Sequence, residues 1–386
     1  MTTSRLAVLL LTVGACARQT VRPDAPKLAV QSTGPARVAA PRPPEPTPAE
    51  WRVRARTALQ ARDFAAADAA LERYLRAEPR DAAALFEAGW VAEQLGDLNE
   101  ARHRYTAALE GDPAHVPAAP NLARLLRMAG KPAEAAETCA AALRKNPDEP
   151  RLLNALAGAL RDEKKLDEAE SIVRRVLERH PHDADAYKNL ALVEADRGYL
   201  RLAEIALANA RKLDPDDAGI PNTLGILAMQ KGEVASAREH FSEAVRLDEK
   251  YAPAWANLGA LALRYADPAA ARDAYAKAAA LDPQRYEVHL GLAWALEALN
   301  EPAEARAEYD RVLALHPGQE DALFGRGLSL KADNQLAAAK ASFEQLLTVS
   351  GSPRADDARA QIASIDLRLR TAAAAQTAAA VSGGPK

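Results

Sequence analysis

Residues 252–285 read APAWANLGALALRYADPAAARDAYAKAAALDPQR, and this stretch determines how the rest of the chain is interpreted. Apolar residues recur at steps of three and four on both sides of a central Ala-Asp-Pro, which is the period of amphipathic helices. Pro283 then ends the second segment, because proline cannot continue a helix. The stretch therefore predicts two helices joined by a short turn and closed by a proline.

Prolines repeat this spacing along most of the chain. They stand at Pro79, Pro113, Pro147, Pro181, Pro215, Pro283 and Pro317. The first four steps are each 34 residues long, and the step from Pro215 to Pro283 is twice 34, with Glu249 in the skipped place. A fixed period of this length indicates an array of stacked repeats, because one helix pair cannot bury its own apolar face.

The residues between the prolines identify the kind of repeat. One unit carries Trp255, Leu258, Gly259, Ala271, Tyr275, Ala278 and Pro283. In this pattern the chain resembles the tetratricopeptide repeat family. The resemblance covers residues 48–353 as nine units, namely 48–81, 82–115, 116–149, 150–183, 184–217, 218–251, 252–285, 286–319 and 320–353. It implies an all-α fold, a right-handed superhelix of about nine helix-turn-helix repeats, or α-solenoid.

Small residues are expected wherever the helices of a unit touch or turn. Gly89, Gly225 and Gly259 take the eighth position of their repeats. Glycine or asparagine falls between the two helices, where a left-handed conformation ends the first one. These turn residues are Gly96, Gly130, Gly198, Gly232, Asn300 and Asn334.

The ends of the chain differ from the repeats. Residues 354–370 read as a helix that caps the stack, and the Ala-rich residues 371–386 are predicted to be disordered. At the other end, one cation and a short apolar run fit a secretory signal peptide, because the run is too short to span a bilayer. An ordinary signal peptide that happens to contain a cysteine is the alternative to the interpretation that follows.

The sequence Val13-Gly14-Ala15-Cys16 resembles the bacterial lipobox. The resemblance implies that residues 1–15 are removed, that Cys16 carries lipid, and that Ala17 directs the protein to the outer membrane, facing the periplasm. Residues 16–47 are rich in proline, and such linkers are extended. They are predicted to form a disordered tether between the lipid and the repeats.

Composition and motifs offer little support for catalysis. The formal net charge of −3 gives no general attraction for nucleic acid. No metal-ligand spacing, nucleophile motif or phosphate loop appears, and Cys139 occupies a place where other repeats carry an aromatic residue. The sequence therefore predicts no catalytic residue, no metal, no cofactor and no small-molecule substrate.

In the family, the first helix of each unit lines a concave groove through its second, fifth, sixth, ninth, twelfth and thirteenth positions. Transferred to this chain, these positions predict aromatic, basic, amide and apolar groove residues in turn. They are Phe86 and Trp90; Arg124, Arg127, Arg151 and Arg161; Asn121, Asn189 and Asn257; and Leu192, Ile226, Met229, Leu263, Leu290, Trp294, Phe324 and Leu328. The asparagines are expected to hydrogen-bond to either a ligand backbone or a neighbouring repeat.

The carboxylate clamp of chaperone-binding relatives is not supported, because Lys188 is followed by Leu192 and Thr223 where asparagines are needed.

These observations predict a scaffold that binds protein partners of the cell envelope through this groove and the membrane through the lipid on Cys16. By resemblance to other tetratricopeptide lipoproteins, it would assemble a secretin, pilus or gliding-motility complex. An adaptor that docks peptidoglycan hydrolases or proteases is one alternative. An accessory protein for surface polysaccharide binding or export is another.

Overall fold

A computed structural model describes residues 45–113 and 115–382, with side chains through residue 375. Over these ranges the chain forms nineteen helices and no strand, which confirms the all-α fold of consecutive helix pairs. The chain divides into two compact units between Tyr199 and Leu200.

The first unit, within the described part of residues 45–199, holds the helices of the first four repeats and the first helix of the fifth. They are α1 (Pro48–Gln60), α2 (Phe64–Ala77), α3 (Ala82–Gln94), α4 (Leu98–Gly111), α5 (Ala118–Met128), α6 (Pro132–Leu143), α7 (Pro150–Asp162), α8 (Leu166–Arg179) and α9 (Ala184–Asp196). Each helix packs against its neighbours along the chain, and α5, α7 and α9 also pack against one another in sequence.

The second unit begins at residue 200. Its helices are α10 (Leu200–Leu213), α11 (Gly219–Lys231), α12 (Val234–Leu247), α13 (Ala252–Arg264), α14 (Pro268–Leu281), α15 (Tyr286–Ala298), α16 (Pro302–Leu315), α17 (Glu320–Ala332), α18 (Leu336–Leu347) and α19 (Ala355–Ser382). Its largest core cluster runs from α13 to α19 and includes Tyr275, Tyr309, Phe343 and Ile365.

Aromatic rings pack directly on glycines where the two helices of a repeat cross. A Cβ built on Gly225 would stand 2.5 Å from Cε1 of Phe241, and one built on Gly259 would stand 2.7 Å from Cδ2 of Tyr275. Since a side chain at either position would overlap the ring, glycine is what allows these helices to approach.

The turn inside every repeat uses one left-handed residue at the same position. Glycine and asparagine occupy it at the six predicted places, with φ between 59° and 83°. The other three turns place Arg62, Lys164 and Ala266 in the same conformation, with φ of 56°, 64° and 60°. Left-handed backbone costs a residue with a Cβ more than it costs glycine. The geometry of the repeat therefore imposes this conformation even where the side chain opposes it.

The C-terminal helix is longer than the sequence predicts. Ala358 and Ile365 of α19 are buried, as expected of a capping helix. The helix then continues through Ser382, so the prediction of disorder from residue 371 is wrong for residues 371–382. The physical reason is the alanine run, because alanine has the highest helix propensity of any residue.

Candidate partner-binding surfaces

The first helices of the second unit carry a row of large apolar side chains. We define the C-terminal apolar face as the ninth- and twelfth-position residues Ile226, Met229, Leu263, Trp294 and Leu328, which lie on α11, α13, α15 and α17. Residues three apart lie on the same side of a helix. Four of the five are half-buried, and Leu328 is 38% exposed. Each therefore packs partly on the core and leaves part of its surface open.

Two predicted groove residues belong to the core instead. Leu290 is 1% exposed and Phe324 is 8% exposed, so the prediction that they line an accessible groove is wrong. The ring of Phe324 contacts that of Phe343 with centroids 5.5 Å apart, and the Arg354 guanidinium lies 4.9 Å from its centroid. The fifth position of these repeats is thus covered by neighbouring helices.

The three sixth-position asparagines bond to the preceding repeat. Asn121 Nδ2 donates to Tyr105 Oη at 3.1 Å, and Asn257 Nδ2 donates to Asn222 Oδ1 at 2.9 Å. The amide of Asn189 donates to the backbone carbonyl of Asn154 at 3.2 Å. Of the two alternatives left by the sequence, the structure favours the bond between repeats.

The predicted basic stretch is largely neutralised by acids on adjacent first helices. Arg124 pairs with Glu93. Arg127 Nε donates to Asp162 Oδ2 at 2.7 Å, and Arg161 lies 3.0 Å from Asp162 Oδ1. Arg161 and Asp162 are neighbours on α7, whereas Arg124–Glu93 joins α3 to α5 and Arg127–Asp162 joins α5 to α7. We call the latter two contacts the inter-repeat ion pairs. Repeat positions alone do not predict these pairs, because the partners are 31 and 35 residues apart. Arg151, by contrast, is exposed.

Aromatic side chains dominate the first unit near its start. Trp90 is 38% exposed, and its ring meets the ring of Phe64 edge-on with centroids 5.5 Å apart. Phe86 is half-buried between Tyr105 and His115, with centroid distances of 5.7 and 5.3 Å. Leu192 on α9 is also half-buried. Of the residues predicted for this end of the groove, Trp90 offers an exposed aromatic surface.

A buried contact between a histidine and a glutamate in the second unit was not predicted. His289 and Glu308 are 4% and 7% exposed, and Nδ1 of the imidazole lies 2.7 Å from Oε2 of the carboxylate. Nε2 of His289 lies 3.1 Å from the backbone oxygen of Pro283. His289 has no partner at ligand spacing in the sequence, because Glu308 follows 19 residues later on another helix.

Cys139 is a buried core residue, as its repeat position indicates. Its side chain is fully covered, and burial raises the pKa of the thiol to about 12. Among the described residues, no group of three or more His, Cys, Asp and Glu side chains is arranged to hold a metal ion.

The lipobox residues Val13, Gly14, Ala15 and Cys16 lie outside the described residues, as does most of the predicted tether. Within residues 45–113 and 115–382, none of the helices combines the length and the hydropathy needed to cross a bilayer.

Comparisons with known proteins identify the class of repeat. Three sequence profiles described as tetratricopeptide repeat match the chain. The first matches residues 92–159, 126–193 and 262–324, the second matches 52–115, and the third matches 321–349. Together these ranges cover more than half of the chain. This chain is therefore a tetratricopeptide repeat protein. No curated protein sequence matches it.

Solved structures share the architecture. The crystal structure of the APC/C hetero-tetramer Cut9-Hcn1 matches with a TM-score of 0.54 and 17% identity over 77% of this chain, which spans 58% of that chain. A structure of Pseudomonas aeruginosa pilF matches with a TM-score of 0.49 and 23% identity, covering 55% of this chain and 97% of that one. Yeast Tom70 matches with a TM-score of 0.42 and 17% identity, covering 84% and 82%. At these identities the likeness concerns the fold alone.

Proposed function

We propose that this chain is a non-enzymatic scaffold that binds protein partners through the C-terminal apolar face. The observation that carries the proposal is the alignment of five large apolar side chains on four successive first helices. Extended apolar patches on soluble proteins commonly mark interaction sites. Trp294 is the expected anchor, because tryptophan is enriched among the residues that dominate binding energy.

The chemistry of this face fits an amphipathic helix or an extended apolar segment of the partner. Helix-in-groove recognition uses apolar anchors at three- and four-residue spacing, which matches a row of half-buried side chains. The Asn222–Asn257 bond lies on the same helices and links α11 to α13. This bond holds two of the four helices of the face in register before a partner binds, which lowers the ordering cost of binding.

The second part of the proposal concerns location. We infer that Cys16 is lipidated and holds the repeats at the outer membrane, facing the periplasm, where the protein assembles an envelope machine such as a secretin, pilus or gliding-motility complex. The support is the sequence Val13-Gly14-Ala15-Cys16 and the proline-rich residues 16–47 that follow. Several acyl chains on one cysteine make a durable anchor, whereas a single chain binds only marginally.

The partner-binding proposal is tested by in-cell crosslinking and mass spectrometry with the full chain. The test variant is Trp294→Ala with Leu328→Ala, and the control is Tyr265→Ala, which removes an aromatic side chain that is 51% exposed at the turn after α13. We expect the envelope proteins captured by the wild type to be lost from the double variant and kept by the control. Unchanged capture by a folded double variant would rule out this face.

The anchor is tested separately by Cys16→Ser and membrane fractionation. We expect the variant to leave the membrane fraction while the circular dichroism of its repeats is unchanged. A variant that stays fully in the membrane fraction would show that the protein is held there by something other than lipid on Cys16.

A further inference from the structure

A cleft of about 570 Å³ opens between two second helices of the second unit. Ala276 and Ala280 of α14 form one wall, and Ala314 and Leu315 of α16 form the other. His289 of α15 and Glu308 of α16 lie at its base. Sites for small molecules commonly have volumes of about 300–1,000 Å³, apolar walls and a few fixed polar groups. This cleft has all three properties and uses none of the residues of the C-terminal apolar face.

The polar groups at the base are already paired with each other. His289 Nδ1 lies 2.7 Å from Glu308 Oε2, and His289 Nε2 lies 3.1 Å from the Pro283 carbonyl oxygen. The second carboxylate oxygen of Glu308 accepts from Nη1 of Arg311 at 2.5 Å. Both ring nitrogens and both carboxylate oxygens are therefore occupied, so a ligand has little to gain by bonding to His289 or Glu308.

Arg311 is the polar group of the cleft that remains available. Its side chain is 63% exposed, although Nη1 is held by Glu308. A guanidinium carries five N–H donors in one plane, so the others can still bind an anion. The contact with Glu308 also fixes the plane at the edge of the cleft, which lowers the ordering cost of binding.

The cleft of the preceding repeat has a different arrangement of polar groups. In the preceding repeat, Trp255 and Lys277 occupy the positions of His289 and Arg311. The Lys277 ammonium lies 4.0 Å from the centre of the Trp255 ring, and the indole donates to the Glu249 carbonyl at 3.0 Å. There the matching cation is committed to the ring, and the other cation that lines this cleft of about 480 Å³, Arg246, belongs to an earlier helix, α12.

We propose that the cleft between α14 and α16 binds an amphiphile made of an apolar chain and one carboxylate head. The chain lies between the alanine-lined walls, and the carboxylate accepts from the free donors of Arg311. A peptide fits less well, because each backbone amide would lose its bonds to water and find the base of the cleft already paired. A ligand with a single polar group leaves none of its own polar atoms unsatisfied.

The probe is decanoate, added to the full chain and measured by isothermal titration calorimetry, with decanol as the matched uncharged compound. We expect saturable binding of decanoate, and binding of decanol that is weaker by about tenfold, since one charge-assisted bond is lost. Arg311→Gln is expected to lower the affinity for decanoate by about tenfold for the same reason. Lys277→Gln in the neighbouring cleft is expected to have no effect.

A second variant tests the apolar walls without touching the charge. Ala276 is exposed and lines the cleft, so Ala276→Leu should obstruct it and abolish binding while the helix is kept. Ala270→Leu places the same side chain at an exposed position of α14 outside the cleft and should bind as the wild type does. Failure of decanoate to bind the wild type would overturn the proposal. Decanoate binding that is unchanged in both Arg311→Gln and Ala276→Leu would also overturn it.

Discussion

Arg127 donates from Nε to Asp162 Oδ2 at 2.7 Å, and the two residues lie on the first helices of successive repeats. Gly158 makes this reach possible, because a Cβ at that position would stand 2.5 Å from Nη1 of Arg127. The arginine therefore crosses the next helix where that helix has no side chain. A residue predicted to face a partner is thus part of the connection between repeats.

This pair should make the stability of the first unit depend on salt. Both side chains are about one quarter exposed, so we expect Arg127→Ala to lower the free energy of unfolding by about 0.5–1 kcal/mol at low ionic strength. The loss should shrink toward about 1 M salt, where charges are screened within about 3 Å. Urea unfolding at both salt concentrations measures it, with exposed Arg151→Ala as the control. A loss of equal size at both would point to packing of the arginine stem instead.

The glycine–aromatic contacts predict large effects from a single methyl group. Gly225→Ala should lower the free energy of unfolding by about 1–3 kcal/mol, because overpacking forces the Phe241 ring and the backbone to move. Gly318→Ala is the control, because the nearest atom to its Cβ is 4.0 Å away. Chemical unfolding of both variants gives the comparison. Equal stabilities would mean that the two helices can separate at no cost.

The left-handed turn residues predict a stabilising substitution. Ala266 has φ of 60° at an exposed turn, and Ala266→Gly should raise the free energy of unfolding by about 0.5–1 kcal/mol. The same substitution inside α14, Ala276→Gly, should lower it by about 0.5–1 kcal/mol, because glycine is a poor helix former. Opposite shifts in the urea midpoint are the expected result. A loss of stability in both variants would contradict the strain at residue 266.

The buried His289–Glu308 pair should be costly to break. Glu308→Ala leaves an imidazole nitrogen buried without its partner, which costs about 1–3 kcal/mol. Glu304→Ala removes an exposed carboxylate from the same helix and should change the free energy of unfolding little. Thermal unfolding followed by circular dichroism compares the two. If Glu308→Ala unfolds at the same temperature as the wild type, the pair contributes nothing to the stability of the second unit.

Cys139 should report on opening of the first unit. Because burial raises the pKa of its thiol to about 12, raising the pH through about 8.5, where an ordinary cysteine titrates, should not speed its reaction with a thiol reagent. In denaturant the normal pH dependence should return, because the unfolded thiol is solvated. Rapid labelling of the folded Cys16→Ser chain near neutral pH would show that Cys139 is accessible.

Periodic features were predictable from the sequence, and pairwise features were not. The 34-residue spacing predicted the helix pairs, and the glycines predicted the left-handed turns, because each depends on local backbone chemistry. The positions of Leu290 and Phe324 could not be read from a repeat register, because neighbouring helices decide whether the fifth position is covered. The pairing of His289 with Glu308 depends on the packing of α15 against α16. The length of α19 was predictable from local chemistry, because an alanine run is itself a helix signal.

The packing of each helix on its sequence neighbours has a mechanical consequence. Within a unit, stability is a sum of repeat and nearest-neighbour terms, so one interface can open while distant repeats stay folded. A pulling force along such a stack would be met by small, reversible extensions rather than by sudden collapse of one shared core. A protein held at one end and loaded through a partner at another point would then act as a compliant link that absorbs movement.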